Sequence, residues 1–218
     1  MNDTNTSIRS LLRPAATSAV LFMLLTGLAY PLVTTAAANL LLPWRAQGSL
    51  VQQDGKVIGS ALLGQQFTAP RYFHPRPSAT QAPDPKDASK TVDAPYNAAL
   101  SGASNYGPTN RKLIDAVAAR AKAYRIENNL APDALVPVDA VTTSASGLDP
   151  DISLANAELQ LPRVAARRGL PQADVQRVLA EHVAPRVFGL FGVPRVNVLA
   201  LNLALDALSR EGQHGTKS

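Results

Sequence analysis

The sequence contains no cysteine, which excludes disulfides, thiolate metal sites and thiol catalysis together. Aromatic side chains are scarce, at 5% of the chain against 46% hydrophobic residues. Alanine and leucine carry most of that apolar count, which favours helices over aromatic-rich β structure. Histidine is nearly absent, and His74, His182 and His214 lie far apart, so no metal-ligand spacing arises from them. There is no G-x-x-x-x-G-K-[ST] phosphate loop, no G-x-S-x-G nucleophile elbow and no H-E-x-x-H pair. We therefore expect no catalytic residue and no metal site in this chain.

What the sequence has in excess is positive charge, proline and one long apolar run. The formal net charge is +5 with a pI near 9.7. Lysine and arginine are dispersed rather than clustered, without aromatic interleaving, which reads as a solvated surface and not as a nucleic-acid footprint. Residues 14–42 contain no charged side chain. As a helix this run would reach about 43 Å at about 1.5 Å per residue, more than the roughly 30 Å hydrocarbon core of a bilayer. It is expected to be a single transmembrane helix, kinked at Pro31, with Trp44 and Arg45 as interfacial anchors. Arg9 and Arg13 precede it, so the positive-inside bias leaves residues 1–13 as a cytoplasmic tail and sends the rest of the chain outside. Ala36-Ala37-Ala38 offers a signal-peptidase site as the competing reading, but a cleavable apolar region is only about 7–15 residues long. An uncleaved anchor is expected. The third reading, a soluble basic protein, would leave the apolar run without a tolerable solvent.

Residues 45–210 read as a small extracytoplasmic α+β domain, followed by a polar tail over 211–218. Asp54-Gly55, between "SLVQQ" and "KVIGSALLG", signals a tight β-hairpin. The stretch from Gln65 to Asn110 is rich in Pro, Ser, Ala and Asn and predicts a long irregular connection. Thr109 or Asn110 is placed to cap a helix through about Glu127. After a Pro-containing linker, "VDAVTTSAS" has the β-branched content of a short strand. Helices are expected over about 153–168, 171–184 and 197–210, with Pro162 and Pro171 in first turns and Asn197 as a cap.

Two segments carry polar constellations. In "TTSASGLDPDIS", residues 142–153, Asp149 and Asp151 bracket a proline. Paired carboxylates suit acid–base work or a hard cation, yet Asp-Pro also favours a turn, and Asp151 or Ser153 suits a helix cap. The turn reading is the stronger, because a calcium loop counted from Asp149 would require Glu at the position of Gln160. "LSGASN", residues 100–105, is a second small-residue turn. Such turns can cradle phosphate through backbone amides, although a loop before a capped helix requires no ligand.

The ordered set "GLAYPLVTT", "GSALLGQQF", "YFHPRPSAT", "PYNAALSGASN", "TTSASGLDPDIS", "PRVAARRGL" and "VNVLALNLALD" resembles the C subunit of the Kdp potassium-transporting ATPase, from about residue 14 to 208. "YFHPRPSAT" and "SASGLDPDIS" are its most specific parts. The resemblance implies a non-catalytic accessory subunit of a high-affinity, ATP-driven potassium uptake pump in the bacterial inner membrane. Its implied partners are a channel-like A subunit, a P-type ATPase B subunit and a small F subunit. Potassium is then the transported ion, and ATP is consumed by the complex. The family has been assigned a catalytic-chaperone role that raises the nucleotide affinity of the B subunit, with a serine-glycine turn likened to an ABC signature. Here that turn is Ser101, Gly102 and Ser104, with Ala103 where a second glycine is common. With residues 45–218 outside and ATP inside, such an effect would travel through the span and the partner subunits. Tyr72, His74, Arg76, Gly147, Asp149 and Asp151 are the expected subunit-contact or structural-loop residues. The alternative class is an independent membrane-anchored periplasmic binding protein.

Overall fold

The computed structural model describes residues 8–215, with side chains from Ser10 to Arg210. The expected start of the cytoplasmic tail, residues 1–7, and the end of the polar tail, 216–218, lie outside the described residues. The side chains of Arg9 and His214 also lie outside those described. The chain forms two compact units, Met1–Leu50 and Val51–Ser218.

The first unit is helical: α1 (Ile8–Leu24), a π-helical turn (Leu25–Ala29), α2 (Tyr30–Leu41) and the short α3 (Pro43–Ala46). Its apolar part, Ser10–Leu41, has the length and composition to cross a membrane, and none of it is buried within the protein. The irregularity expected at Pro31 falls one turn earlier, as the π-turn. Pro31 has no N–H, and its ring crowds the carbonyl four residues back; a widened turn relieves that crowding. Several polar side chains in the run bond to their own helix. Thr26 Oγ1 donates to Phe22 O (2.6 Å), Thr34 Oγ1 to Tyr30 O (2.9 Å) and Asn39 Nδ2 to Thr35 O (2.9 Å). Such back-bonding leaves few unsatisfied polar groups facing an apolar solvent.

The second unit is α+β. β1 (Leu50–Gln53) and β2 (Lys56–Ser60) form the expected hairpin. Asp54 and Gly55 both have positive φ (52° and 76°), as a two-residue turn matched to strand twist requires. A second hairpin, β3 (Gln81–Asp84) with β4 (Asp87–Asp93), lies inside the stretch expected to be irregular. The composition concealed it, because Pro83 and the Asp and Lys residues are weak strand formers. A two-stranded ribbon has only edge strands, where proline loses no ladder bond.

α4 (Arg111–Glu127) starts at Asn110, whose side chain accepts from Lys112 N at 2.9 Å. "VDAV" is not a strand but the single turn α5 (Val138–Val141). Asp139 on that turn explains the override of β-propensity: its carboxylate accepts from Ser153 N (2.8 Å), Ser153 Oγ (2.9 Å) and Asn156 Nδ2 (3.0 Å). β5 (Asp151–Ser153) follows and pairs with β7 (Arg195–Asn197), which also pairs with β6 (Val183–Ala184). Asp151 is therefore a strand residue; Ser153 alone caps α6 (Leu154–Arg168), accepting from Asn156 N. Pro162 lies inside α6, not in its first turn. It sits on the exposed side near Glu158, where solvent replaces the lost backbone bond. Pro171 is the N-cap of α7 (Gln172–Glu181), just before its first turn. Asn197 accepts from Ala200 N (3.0 Å) at the start of α8 (Val198–Gly215).

The core lies between the β5–β7–β6 sheet and α6, α7 and α8: Ile152, Val164, Val175, Leu179, Val196, Leu201 and Leu205 are essentially inaccessible. Phe73 joins them from the proline-rich loop. Side-chain amides fix its backbone. Asn202 on α8 accepts from Phe73 N (2.9 Å) and donates to Phe73 O (3.0 Å). Gln160 on α6 accepts from His74 N (2.7 Å) and donates to His74 O (3.1 Å). Arg163 donates to the carbonyls of Pro70 and Tyr72. We predict that Asn202→Ala strands a buried N–H and C=O of Phe73 and costs about 2–4 kcal/mol. Denaturant unfolding of the full-length protein in detergent measures it, and a loss below about 0.5 kcal/mol, the scale of a surface change, would contradict the clamp.

Candidate functional site: the loop cluster at Arg76 and Asp149

With Phe73 and His74 clamped, the chain carries Arg76, Ser78 and Thr80 onto the 142–153 loop. Arg76 Nη1 pairs with Asp149 Oδ2 at 2.7 Å. Ser78 Oγ donates to Gly147 O (2.8 Å) and accepts from Tyr96 N (3.0 Å). Tyr96 OH donates to Arg76 O at 2.7 Å. Burial, with the nearby Asp149 charge, pushes the Tyr96 phenol well above its ordinary range, so it stays a neutral donor.

The serine-glycine turn joins the same network. Ser101 Oγ (2.9 Å) and Gly102 N (3.0 Å) both donate to Ser146 O. Ser104 Oγ stands 3.5 Å from Thr143 Oγ1. Three segments distant in sequence thus form one knot through Arg76, Ser101, Gly102, Ser104, Gly147 and Asp149. Gly147 lies at its tightest point, with φ +69°. A Cβ there would stand 2.5 Å from Thr80 Cγ2 and 2.8 Å from Gly102 O.

Asp149 also accepts from Asp151 N through Oδ1 (3.1 Å), and Asp151 pairs with Arg195 Nε at 2.9 Å. Two carboxylates, each paired with a guanidinium group, therefore lie side by side. Burial, more than the neighbouring Asp149, raises the Asp151 carboxyl, and Arg195 opposes that rise. Arg76 Nε is buried without a partner. Open cavities flank the quartet on both sides. One, of about 620 Å³, is bounded by Leu62, Leu63 and Leu148; the other, of about 330 Å³, by Val138, Ile152 and Val193. Leu62, Val138 and Val193 are more than half exposed. Neutralised charges bordered by bare aliphatic side chains match the make-up of a protein–protein contact. Arg195 and the aliphatic rim carry no signal in the sequence, because they come together from the turn after β2, from α5 and from the residues at and just before β7.

Tyr72 and His74 do not join this cluster. The guanidinium groups of Arg71 and Arg168 approach the Tyr72 ring, 4.8 and 5.2 Å from its centre. His74 Nδ1 faces Glu127 Oε1 at 3.0 Å, and its Nε2 faces Ala69 O at 3.1 Å. Among the described residues, no three of His, Asp and Glu gather as a metal cluster would require.

The profile of the K+-transporting ATPase c chain, KdpC, matches residues 12–207. The chain belongs to the KdpC family. A Rhodopseudomonas palustris protein named potassium-transporting ATPase KdpC subunit is 59% identical over 196 residues, covering 90% of this chain and 97% of its own length. Proteins of the same name from Methylobacterium nodulans and Bradyrhizobium diazoefficiens are 59% and 57% identical, covering 91% and 89% of this chain and 97% and 96% of their own. The matched span takes in both the apolar helix and the whole loop cluster of this KdpC-family chain.

Two outcomes follow, one from the cluster and one from the His74–Glu127 pair. Gly147→Ala forces a left-handed backbone on alanine and pushes a methyl against Gly102 O, so we expect at least about 2 kcal/mol of destabilisation, read by denaturant unfolding. The second concerns pH. The hydrogen bond from His74, against a smaller opposing effect of burial, holds Glu127 below the ordinary glutamate range. A lowered carboxyl stabilises the fold above its unfolded value, and this stabilisation is lost as pH falls through the folded value. The stability gap between the native protein and His74→Ala should therefore narrow on acidification below the glutamate range. A gap that widens there contradicts the assignment.

Proposed function

We propose that this chain is the non-catalytic accessory subunit of an ATP-driven potassium uptake pump, held in the bacterial inner membrane by its single apolar helix. The N-terminus lies in the cytoplasm and the α+β domain outside. The observation that carries the docking role is the Arg76–Asp149 and Arg195–Asp151 quartet between exposed Leu62, Val138 and Val193. That face suits contact with another protein and lacks a nucleophile–base pair or a free carboxylate dyad. Its partners in this reading are a channel-like A subunit, a P-type B subunit that hydrolyses ATP, and a small F subunit. Potassium is their cargo.

The chaperone role, raising the nucleotide affinity of the B subunit, acts in this reading through the span and the assembled interface. Ser101, Gly102 and Ser104 take part by shaping the loop cluster, since the Ser101 hydroxyl and the Gly102 amide are bonded within the domain. The orientation rests on Arg13 and Arg9 ahead of a long uncharged run.

The test is co-purification of the tagged chain with the pump subunits, with potassium-stimulated ATP hydrolysis measured in its presence and absence. We expect a stable complex and a loss of about tenfold or more when the chain is missing. An R76A/R195A pair should weaken assembly while the chain still folds, judged by its circular dichroism and melting. Full pump activity without the chain, or its isolation as a stable protein free of pump subunits with a tight small-molecule ligand, favours the independent binding protein instead.

A further inference from the structure

A second polar site lies away from the loop cluster, where α6 and α8 end beside the loop at Arg71. Arg71, Arg167, Arg168, Asp206, Ser209 and Arg210 line a cavity of about 350 Å³. Four guanidinium groups thus face a single carboxylate. That carboxylate is already engaged: Asp206 Oδ1 accepts from Arg168 Nη1 (2.8 Å), and Oδ2 lies 3.4 Å from Tyr72 OH. Arg71, Arg167 and Arg210 have no ion-pair partner among the described residues.

The built part of the site is Arg168. Its side chain is only 3% exposed, and Nε donates to Arg71 O at 2.8 Å. Its Nη1 reaches Ser209 Oγ at 3.4 Å as well as Asp206. Its Nη2 is buried with no hydrogen-bond partner. The Tyr72 ring lies against both Arg168 and Arg71, whose guanidinium groups approach within cation–π range. One wall of the cavity is therefore rigid and cationic before any ligand arrives, and three exposed arginines surround its mouth.

Uncompensated guanidinium groups in a concave site attract anions, and planar N–H forks match tetrahedral oxyanions. A surface serving only solubility has no reason to fix one arginine this deeply beside three others. We infer that this cavity binds a phosphate group. Arg71, Arg167 and Arg210 supply the docking charges and Arg168 the fixed positive floor. Two sources carry the required chemistry: the phosphodiester of an anionic lipid headgroup and free inorganic phosphate. This inference stands independently of the subunit reading.

The experiment uses the full chain in a neutral detergent at constant ionic strength. Isothermal titration calorimetry is run with inorganic phosphate and, separately, with short-chain phosphatidylglycerol below its micelle concentration. Saturable binding of either ligand is expected, weakened about tenfold or more in R71Q/R167Q/R210Q, where the charge-assisted bonds are gone. The three positions are exposed, so folding should survive, and R210Q alone with unchanged melting guards against a misfolded triple variant. Tighter binding of the lipid assigns the site to headgroups; binding of inorganic phosphate alone assigns it to the free ion. Both outcomes support the site. It is overturned if neither ligand binds saturably, or if the variants bind as well as the native chain.

Discussion

The domain depends on a loop segment whose backbone is paired by side chains. Residues 70–74 turn and run over the core, and most of their bonded backbone groups are held by Asn202, Gln160 and Arg163 rather than by a neighbouring β-ladder. Buried backbone donors and acceptors must be paired, and an amide side chain, carrying both an acceptor oxygen and a donor NH2, can serve an N–H and a C=O of the same residue. Because Asn202 and Gln160 stand on different helices, the loop also ties α8 to α6. Arg163 extends the network to Asn128 and to Gln160 itself. Phe73, carried by the clamped segment, then fills the core between those helices.

The loop cluster inherits its geometry from that clamp. Once His74 is held, the following residues place Arg76 against Asp149 and Ser78 against Gly147. Gly147 lets the 142–153 loop approach Gly102 and Thr80 closely, and the serine-glycine turn closes the knot. The result is a preorganised face whose charges are set before any partner arrives, which lowers the ordering cost of association. On this surface the carboxylates are committed to arginines, whereas at the α6–α8 end the arginines outnumber the carboxylates. One face is neutral and bordered by aliphatic groups; the other is cationic. They differ in the chemistry they can receive.

Periodicity and turn chemistry made the helices, the Asp54-Gly55 hairpin and the apolar span legible, because each of those signals is local. The hairpin at 81–93 and the turn at 138–141 were not legible, since Pro83 reads as a breaker and "VDAV" as a strand. Tertiary bonds through Asp139 decided the second. The clamp itself was hidden for a related reason. Asn156, Gln160 and Arg163 recur at helical spacing on α6, a pattern that in sequence marks a solvent face, yet all three are buried. Of the site residues, Arg76, Gly147 and Asp149 met as one cluster, whereas Tyr72 and His74 turned to other partners.

The sequence by itself determined what this protein can cross and what it lacks the groups to do: a long uncharged run suits a bilayer, and without thiols or a nucleophile motif no catalytic centre was expected. It also carried the family likeness, in contiguous motifs that need no folding to be read. Only the tertiary structure decided which polar residues pair. An arginine at position 76 and an aspartate at position 149 are unrelated along the chain and 2.7 Å apart in space. Burial converts such pairs from optional surface contacts into obligatory ones, because a polar group removed from water must find its partner within the fold.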